Sequence, residues 1–257
     1  VSGAIGVILA DGFRTVRSVR GVAGAVLAVV LALGGAHVVL SGPLARATSP
    51  DGWAIAACDV GQGDALLIRS RGKIALIDTG PAPEPLADCM RRLGVEHIDL
   101  LVLTHFDLDH VGGVDSVRGR VGSVLHGPTG ETGDRRILER LAEGGASVAA
   151  ATAGLSGELG SASWQVLWPQ RGSASFPPGN DQSVVLEFDG GDMPRSLFLG
   201  DLSAEAQRML MRTAHIRGSY AVVKVAHHGS ADQELPLYAD LRPAVALFSA
   251  GSDNDYG

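Results

Sequence analysis

Two imidazoles and two carboxylates fall within six residues at His105-Phe106-Asp107-Leu108-Asp109-His110. A packed core has no use for such a density of titratable groups, whereas a divalent cation is held by these side chains. The chemistry they would support is hydrolysis, with the cation activating water and offsetting charge on the attacked group. Ile98 to Leu103, directly before, is a short apolar run bounded by polar residues and reads as a buried strand. The ligand candidates therefore leave a strand end, and Gly112-Gly113 just after them lets backbone come close to whatever is bound.

Three further segments have the same form. Leu197-Phe198-Leu199-Gly200-Asp201 is an apolar strand ending in a glycine and an aspartate, whose carboxylate can bridge two cations. Val222-Val223-Lys224-Val225-Ala226 runs straight into His227-His228-Gly229-Ser230. Ile74-Ala75-Leu76-Ile77 ends in Asp78-Thr79-Gly80, where Asp78 either orients ligands or forms an Asx turn at the strand end. In Asp59-Val60-Gly61-Gln62-Gly63-Asp64-Ala65 the glycines flank a turn, and Asp64 is placed to reach backbone amides near the site. A plain hairpin is the other reading of that segment.

Taken in order, strand-Asp-Thr-Gly, strand-His-X-Asp-X-Asp-His, strand-Gly-Asp and strand-His-His-Gly resemble the metallo-β-lactamase fold superfamily, over about residues 53 to 250. Within it the chain looks most like the extracytoplasmic domain of ComEC-type DNA-uptake proteins. That narrower match is carried by Asp59 to Ala65, by Asn180-Asp181-Gln182-Ser183-Val184-Val185-Leu186 and by Lys224 to Ser230. The resemblance implies an αββα sandwich and a metal held by Asp109, His110, Asp201 and His227. His105 and Asp107 would complete a weaker second position, and Asp64, Asp78, Asn180 and Ser183 would support the ligands. His228 would stand beside the ligands and protonate the leaving group, with Asp109 the other residue in a catalytic role. Spacing alone leaves His227 and His228 both open as ligand.

The chain departs from the superfamily pattern in two places. Asp107 stands where the usual second histidine is expected, which makes that metal position richer in oxygen and favours a hard cation. No histidine occurs from residue 127 to residue 214, and at Val166-Leu167-Trp168-Pro169, where one is expected, there is a tryptophan. One or two divalent ions are expected, manganese before zinc.

The 257 residues suffice for one large domain and a short appendage. Helix-like spacing over Glu84 to Leu93, Gly133 to Glu143, Ser203 to Arg212 and Gln233 to Leu241 alternates with the strands, so the class is α/β. Gly144 to Ser163 reads as one short strand and a turn built from small residues. The domain is expected over 51–257 and incomplete at its C-terminus, because the sequence stops in a loop after a strand.

Residues 21–40 form an uncharged run long enough to cross a bilayer as a helix. Arg14, Arg17 and Arg20 precede it, which places residues 1–20 on the cytoplasmic side, as a membrane-proximal segment or the tail of an earlier span. The domain beyond residue 50 is then expected on the extracytoplasmic face of the cell membrane. A cleavable signal peptide is the rival reading, on the strength of Ala45-Arg46-Ala47. Cys58 and Cys89 have no spacing that suggests zinc and read as buried thiols, although an outside location permits a disulfide.

Beyond residue 50 there are 17 basic and 27 acidic side chains, which excludes unselective attraction to nucleic acid. Basic clusters at Arg69-Arg71-Lys73, Arg91-Arg92, Arg118-Arg120 and Arg135-Arg136 would matter for a phosphate backbone only on the rim of the site. Three functions fit these residues. The leading one is a metal-dependent phosphodiesterase acting on DNA, single-stranded by preference, at the outer face of the membrane. The second is a catalytically weak DNA-handling or channel-gating module, and the third is a small-molecule hydrolase such as a secreted esterase or lactamase. By resemblance, a competence pilus, a DNA receptor and a translocation motor are the expected partners.

Overall fold

The two-residue period of a strand sends alternate side chains to opposite faces, and here each face has its own apolar partner. In β2 (Leu66–Ser70) and β3 (Lys73–Ile77), Leu66, Ile68, Ala75 and Ile77 join one core, while Leu67, Ile74 and Leu76 join another. The computed structural model of the chain describes residues 26–32, 52–214, 216, 218–252 and 254. It divides into two units, Val1–Ser49 and Pro50–Gly257.

The second unit is built from two six-stranded sheets. The first has the order β1 (Ile55–Ala57), β2, β3, β4 (Ile98–Leu103), β5 (Val121–His126), β6 (Ser147–Ala150). The second runs β12 (Val245–Leu247), β11 (Val222–Lys224), β10 (Met193–Phe198), β9 (Val185–Gly190), β8 (Ala162–Trp168), β7 (Ser156–Leu159). Their inner faces share one core, in which Leu66, Ile77, Leu100 and Val102 meet Val166, Leu186, Phe188 and Phe198. The outer face of the first sheet is covered by α1 (Pro83–Leu93) and α3 (Thr132–Glu143), through Leu86, Met90, Leu138 and Leu141. That of the second is covered by α4 (Ala204–Thr213) and α5 (Leu235–Leu241), through Ala206, Leu210, Leu237 and Leu241. The layers are thus α, β, β, α.

Local chemistry explains the helix ends. Pro83 starts α1 where no intrahelical N–H is needed, and Gly94 ends it in the left-handed region at φ 68°. Asp134 accepts from the backbone N–H groups of Gly130 and Glu131 ahead of α3, and Ser203 accepts from Ala206 N to start α4.

Two expectations are corrected. Residues 144–163 contain two whole strands, β6 and β7, and the first residues of β8, in place of one strand: β6 closes an edge of the first sheet by pairing with β5, and the chain then crosses to the edge of the second. One strand cannot belong to both edges. Cys58 and Cys89 are not thiols but a disulfide, with Cα atoms 5.7 Å apart, which ties the segment after β1 to α1. Of the expected span over 21–40, residues 26–32 are helical and the remainder lies outside the described residues. Among the described residues no helix is long and apolar enough to cross a membrane.

Candidate metal centre

Parallel pairing gathers the ligand-bearing loops. β3, β4 and β5 run parallel, so Asp78 after β3 and Thr104 to His110 after β4 emerge at one end of the first sheet. β10 and β11 are also parallel, so Gly200-Asp201 and Ala226 to His228 emerge together from the second. Asp107 precedes a single turn of helix, α2 (Leu108–Val111), which carries Asp109 and His110.

Four side-chain atoms converge there, from Asp109, His110, Asp201 and His228. His110 Nε2 lies 3.2 Å from Asp201 Oδ2 and 3.6 Å from Asp109 Oδ2, and His228 Nε2 lies 3.1 Å from each of the same two oxygens. Donors about 2.0–2.2 Å from a shared ion at tetrahedral corners stand about 3.3–3.6 Å apart. The four separations, 3.1–3.6 Å, lie close to that range, so the group is a candidate site for one divalent cation.

Hydrogen bonds turn the correct ring nitrogens inward. His110 Nδ1 donates to Asp78 Oδ2 at 2.8 Å, and His228 Nδ1 donates to the Ser249 carbonyl at 2.8 Å, which leaves each Nε2 facing the carboxylates as a candidate ligand atom. Asp78 acts twice: Thr104 Oγ1 donates to Asp78 Oδ2 at 2.6 Å and lies 3.1 Å from His105 Nδ1. Because that hydroxyl proton is used on Asp78, Thr104 accepts from His105 Nδ1, and His105 Nε2 is left bare. It is buried without a hydrogen-bond partner, with Asp107 Oδ2 3.7 Å away. Ser183 Oγ accepts from Asp201 N at 3.1 Å and stands 3.3 Å from His105 Nδ1, while Asn180 enters through its carbonyl, which accepts from Ser183 N. Glycine is required at two of these contacts. A Cβ on Gly63, at φ 124°, would stand 2.2 Å from the Asp109 carbonyl, and one on Gly200, at φ 55°, 2.5 Å from Ser183 Cβ.

The structure brings His228, and not the expected His227, into the four-atom group. His228 is buried among the carboxylates, and with Nδ1 held by Ser249 and Nε2 between Asp109 and Asp201 it is not placed to serve as a leaving-group acid. His227 is half-buried and stays outside the four-atom group, its ring centroid 6.0 Å from that of His228. The reason is backbone conformation: both residues are left-handed, at φ 48° and 54°, so the turn projects them in different directions. His105 and Asp107 are neighbours of the group and not members of it. Trp168, at the position expected of a middle histidine, is a core residue whose Nε1 donates to the Asp181 carbonyl.

Sequence reasoning missed Thr104, Ser249 and the part played by Lys224. The signal for Lys224 was a lysine inside an apolar strand; for Ser249, distant in sequence, there was none. Lys224 is 1 % exposed, and its Nζ donates to Gly200 O at 3.1 Å and Asp201 Oδ1 at 3.3 Å and pairs with Asp64 Oδ2. Asp64, expected to hold amides through its carboxylate, holds Gly80 N through its backbone carbonyl and faces Lys224 with its side chain.

The buried charges set each other. Burial raises the Asp201 carboxyl, but Lys224 and His110 outweigh it and hold it well below the usual range. Burial likewise opposes the shift at Asp109, which the hydrogen bond from His228 and the charge of His110 bring down. Burial pushes both histidines down, yet Asp201 and Asp78 carry His110 well above its ordinary value, and the carboxylates of Asp109 and Asp201, with Asp64 nearby, carry His228 up to about 12.

A cavity of about 490 Å³ opens beside the centre, lined by Phe106, Asp107, Leu108, Asp109, Glu131 and Asp134 among others. The basic clusters divide around it. Lys73 begins β3 and Arg120 precedes β5, so both lie at the end of the first sheet opposite the site, where they bind Asp99 and the carbonyls of Val95 and Glu96. Arg135 and Arg136 belong to the first turns of α3, whose start lines the cavity.

Comparison with known proteins agrees with this geometry. The chain is 29% identical over 227 residues to ComE operon protein 3 of Bacillus subtilis (strain 168), covering 77% of this chain and 28% of that protein. It is 26% identical over 210 residues to Competence protein ComA of Neisseria gonorrhoeae, covering 79% of this chain and 28% of that protein. The chain thus spans little more than a quarter of the length of these competence-related relatives. Its fold is similar to that of the CmlA beta-hydroxylase E377D mutant, with a TM-score of 0.54 and 20% identity over 79% of this chain and 46% of the other. The family model of the metallo-beta-lactamase superfamily matches residues 58–235, and with its two sheets between helices and four candidate ligand residues gathered at the strand ends, the chain belongs to that superfamily.

Proposed function

We propose that the chain is the hydrolytic domain of a membrane-tethered DNA-uptake protein, cutting phosphodiester bonds in incoming single-stranded DNA with a divalent cation. The observation that carries the hydrolytic part is the set of four inward-facing atoms of Asp109, His110, Asp201 and His228. A cation held there supplies Lewis acidity and lowers the pKa of water. The protein's part is to hold that ion through two Nε2 and two Oδ2 atoms. Asp78 and Ser249 fix the two rings, and the cavity beside Asp107 and Asp109 receives the substrate. Four mixed donors suit zinc, while the two carboxylate oxygens among them, with Asp107 richer in oxygen than the usual histidine at the neighbouring position, suit manganese, our preferred ion. The bare Nε2 of His105 with Asp107 is the place for a weaker second ion. The DNA substrate, and a pilus, receptor and motor as partners, are supported by the competence-related relatives.

The cavity's acidic lining favours a second reading, a DNA-gating module with little catalysis, because carboxylates on the wall repel phosphate. The metal-loaded chain, incubated with labelled single-stranded DNA, duplex DNA and a chromogenic β-lactam, separates the readings. Shortening of the single strand, lost in Asp201→Ala, is the expected outcome. Arg135→Glu with Arg136→Glu should raise KM for DNA several-fold, roughly, at low salt and less at high salt. Lactam turnover without DNA cleavage sinks the nuclease, and inactivity on both with metal bound selects the gating module.

An extracytoplasmic location is supported by the Cys58–Cys89 disulfide, since such bonds persist in oxidising compartments. Alkylation of intact cells before lysis should find this pair oxidised, and reduction of the purified chain should lower its stability by about 3–4 kcal/mol in urea titrations, from closure of a 31-residue loop. Free thiols in the trapped protein would overturn the location.

A further inference from the structure

We infer that Lys224 is a positioning residue of the metal centre, holding the Asp201 carboxylate so that only Oδ2 faces the ion. The inference rests on the reading of Asp109, His110, Asp201 and His228 as ligands. Lys224 is in register with Phe198 across the β10–β11 pair, so its side chain reaches the Gly200-Asp201 turn that follows β10. An ammonium has three protons, and here it has three acceptors: Gly200 O, Asp201 Oδ1 and Asp64 Oδ2. It therefore grips both the carbonyl before Asp201 and the oxygen of Asp201 that points away from the histidines. Oδ2 is left 3.2 Å from His110 Nε2 and 3.1 Å from His228 Nε2. With Oδ1 released, the carboxylate would be free to turn, and both oxygens could approach the ion.

The plainer account is that Lys224 only neutralises Asp64, whose Oδ1 is buried without a hydrogen-bond partner. The two accounts part in the double variant Asp64→Asn with Lys224→Met, which removes the charge pair and leaves Asp201 unheld. In the full chain, this variant should melt close to the wild type yet bind cobalt(II) about tenfold to a hundredfold more weakly, the usual loss when a group orienting a ligand is removed. The visible spectrum of its cobalt(II) form should also differ, as Asp201 changes from one ligand oxygen to two. Asp64→Asn alone retains the Lys224–Asp201 contact and should lose clearly less cobalt(II) affinity than Lys224→Met or the double variant. A double variant with wild-type affinity and spectrum overturns the inference, and so does a loss in Asp64→Asn as large as in Lys224→Met. Absence of cobalt binding by the wild type would instead sink the metal-centre reading on which it stands.

Discussion

Alanine at His228 is expected to strip the divalent ion from the chain, while alanine at His227, one residue earlier, leaves the ion bound. His228 Nε2 lies 3.1 Å from both Asp109 Oδ2 and Asp201 Oδ2, and its ring is locked through Ser249. His228→Ala therefore removes a ligand atom and leaves two carboxylates facing each other. The loss in affinity should exceed about 100-fold, beyond the usual range for removing a group that merely orients a ligand. His227→Ala removes a ring from outside the four-atom group, and its effect should stay within about threefold by the same comparison. Elemental analysis after dialysis against manganese or zinc, on material whose fold is checked by circular dichroism, decides the matter. Equal metal content in the two variants would exclude His228 as the ligand.

The second large effect is on pH. In the metal-free chain His110 and His228 are both carried above the neutral range, His228 to about 12, because carboxylates surround them. A ligand imidazole must be neutral, so binding one ion displaces two protons. The carboxylates Asp109 and Asp201 are held below their usual range and contribute no protons above about pH 5. The apparent affinity should therefore rise with pH through the neutral range, by about tenfold per unit from His228 alone and more steeply wherever His110 is still protonated. Titrations with a metal indicator across that window test this, and a slope near zero would show that the histidines are already neutral. Stability of the metal-free chain follows the opposite sign at these groups. Raised histidines stabilise the fold fully below about pH 6.5, their unfolded value, and lose that contribution only as pH rises through their folded values. The depressed aspartates stabilise above about pH 4 and lose their contribution as pH falls through their folded values. Metal and protons thus compete for one charged pocket.

Much of this centre was legible because its donors are clustered along the chain. His105, Asp107, Asp109 and His110 lie within six residues, each following strand pattern is unmistakably apolar, and the Gly200-Asp201 and His227-His228 pairs end runs of the same kind. Periodicity alone places all of them at strand ends, since a buried strand must surface in a polar turn. The α/β class follows from the same alternation, and so do four of the helices to within about two residues.

What the sequence could not determine turns on direction and distance. His227 and His228 are adjacent and chemically identical, so only the left-handed backbone at φ 48° and 54° decides which ring enters the pocket. The bond between Cys58 and Cys89 depends on α1 packing against the segment after β1, a contact between residues 31 apart. Lys224 is visible in the sequence only as a lysine in an apolar strand, and it is parallel pairing with β10 that sets it beside Asp201, with Asp64 brought in from the loop before β2. The basic clusters are equally visible at Lys73, Arg120 and Arg135, yet only the run of the strands sends the first two away from the site and leaves the third beside it. Residue type and local spacing state which groups can bind a cation. Which of them do so is set by long-range pairing of strands and by single backbone dihedrals, neither of which is encoded by any short stretch of chain.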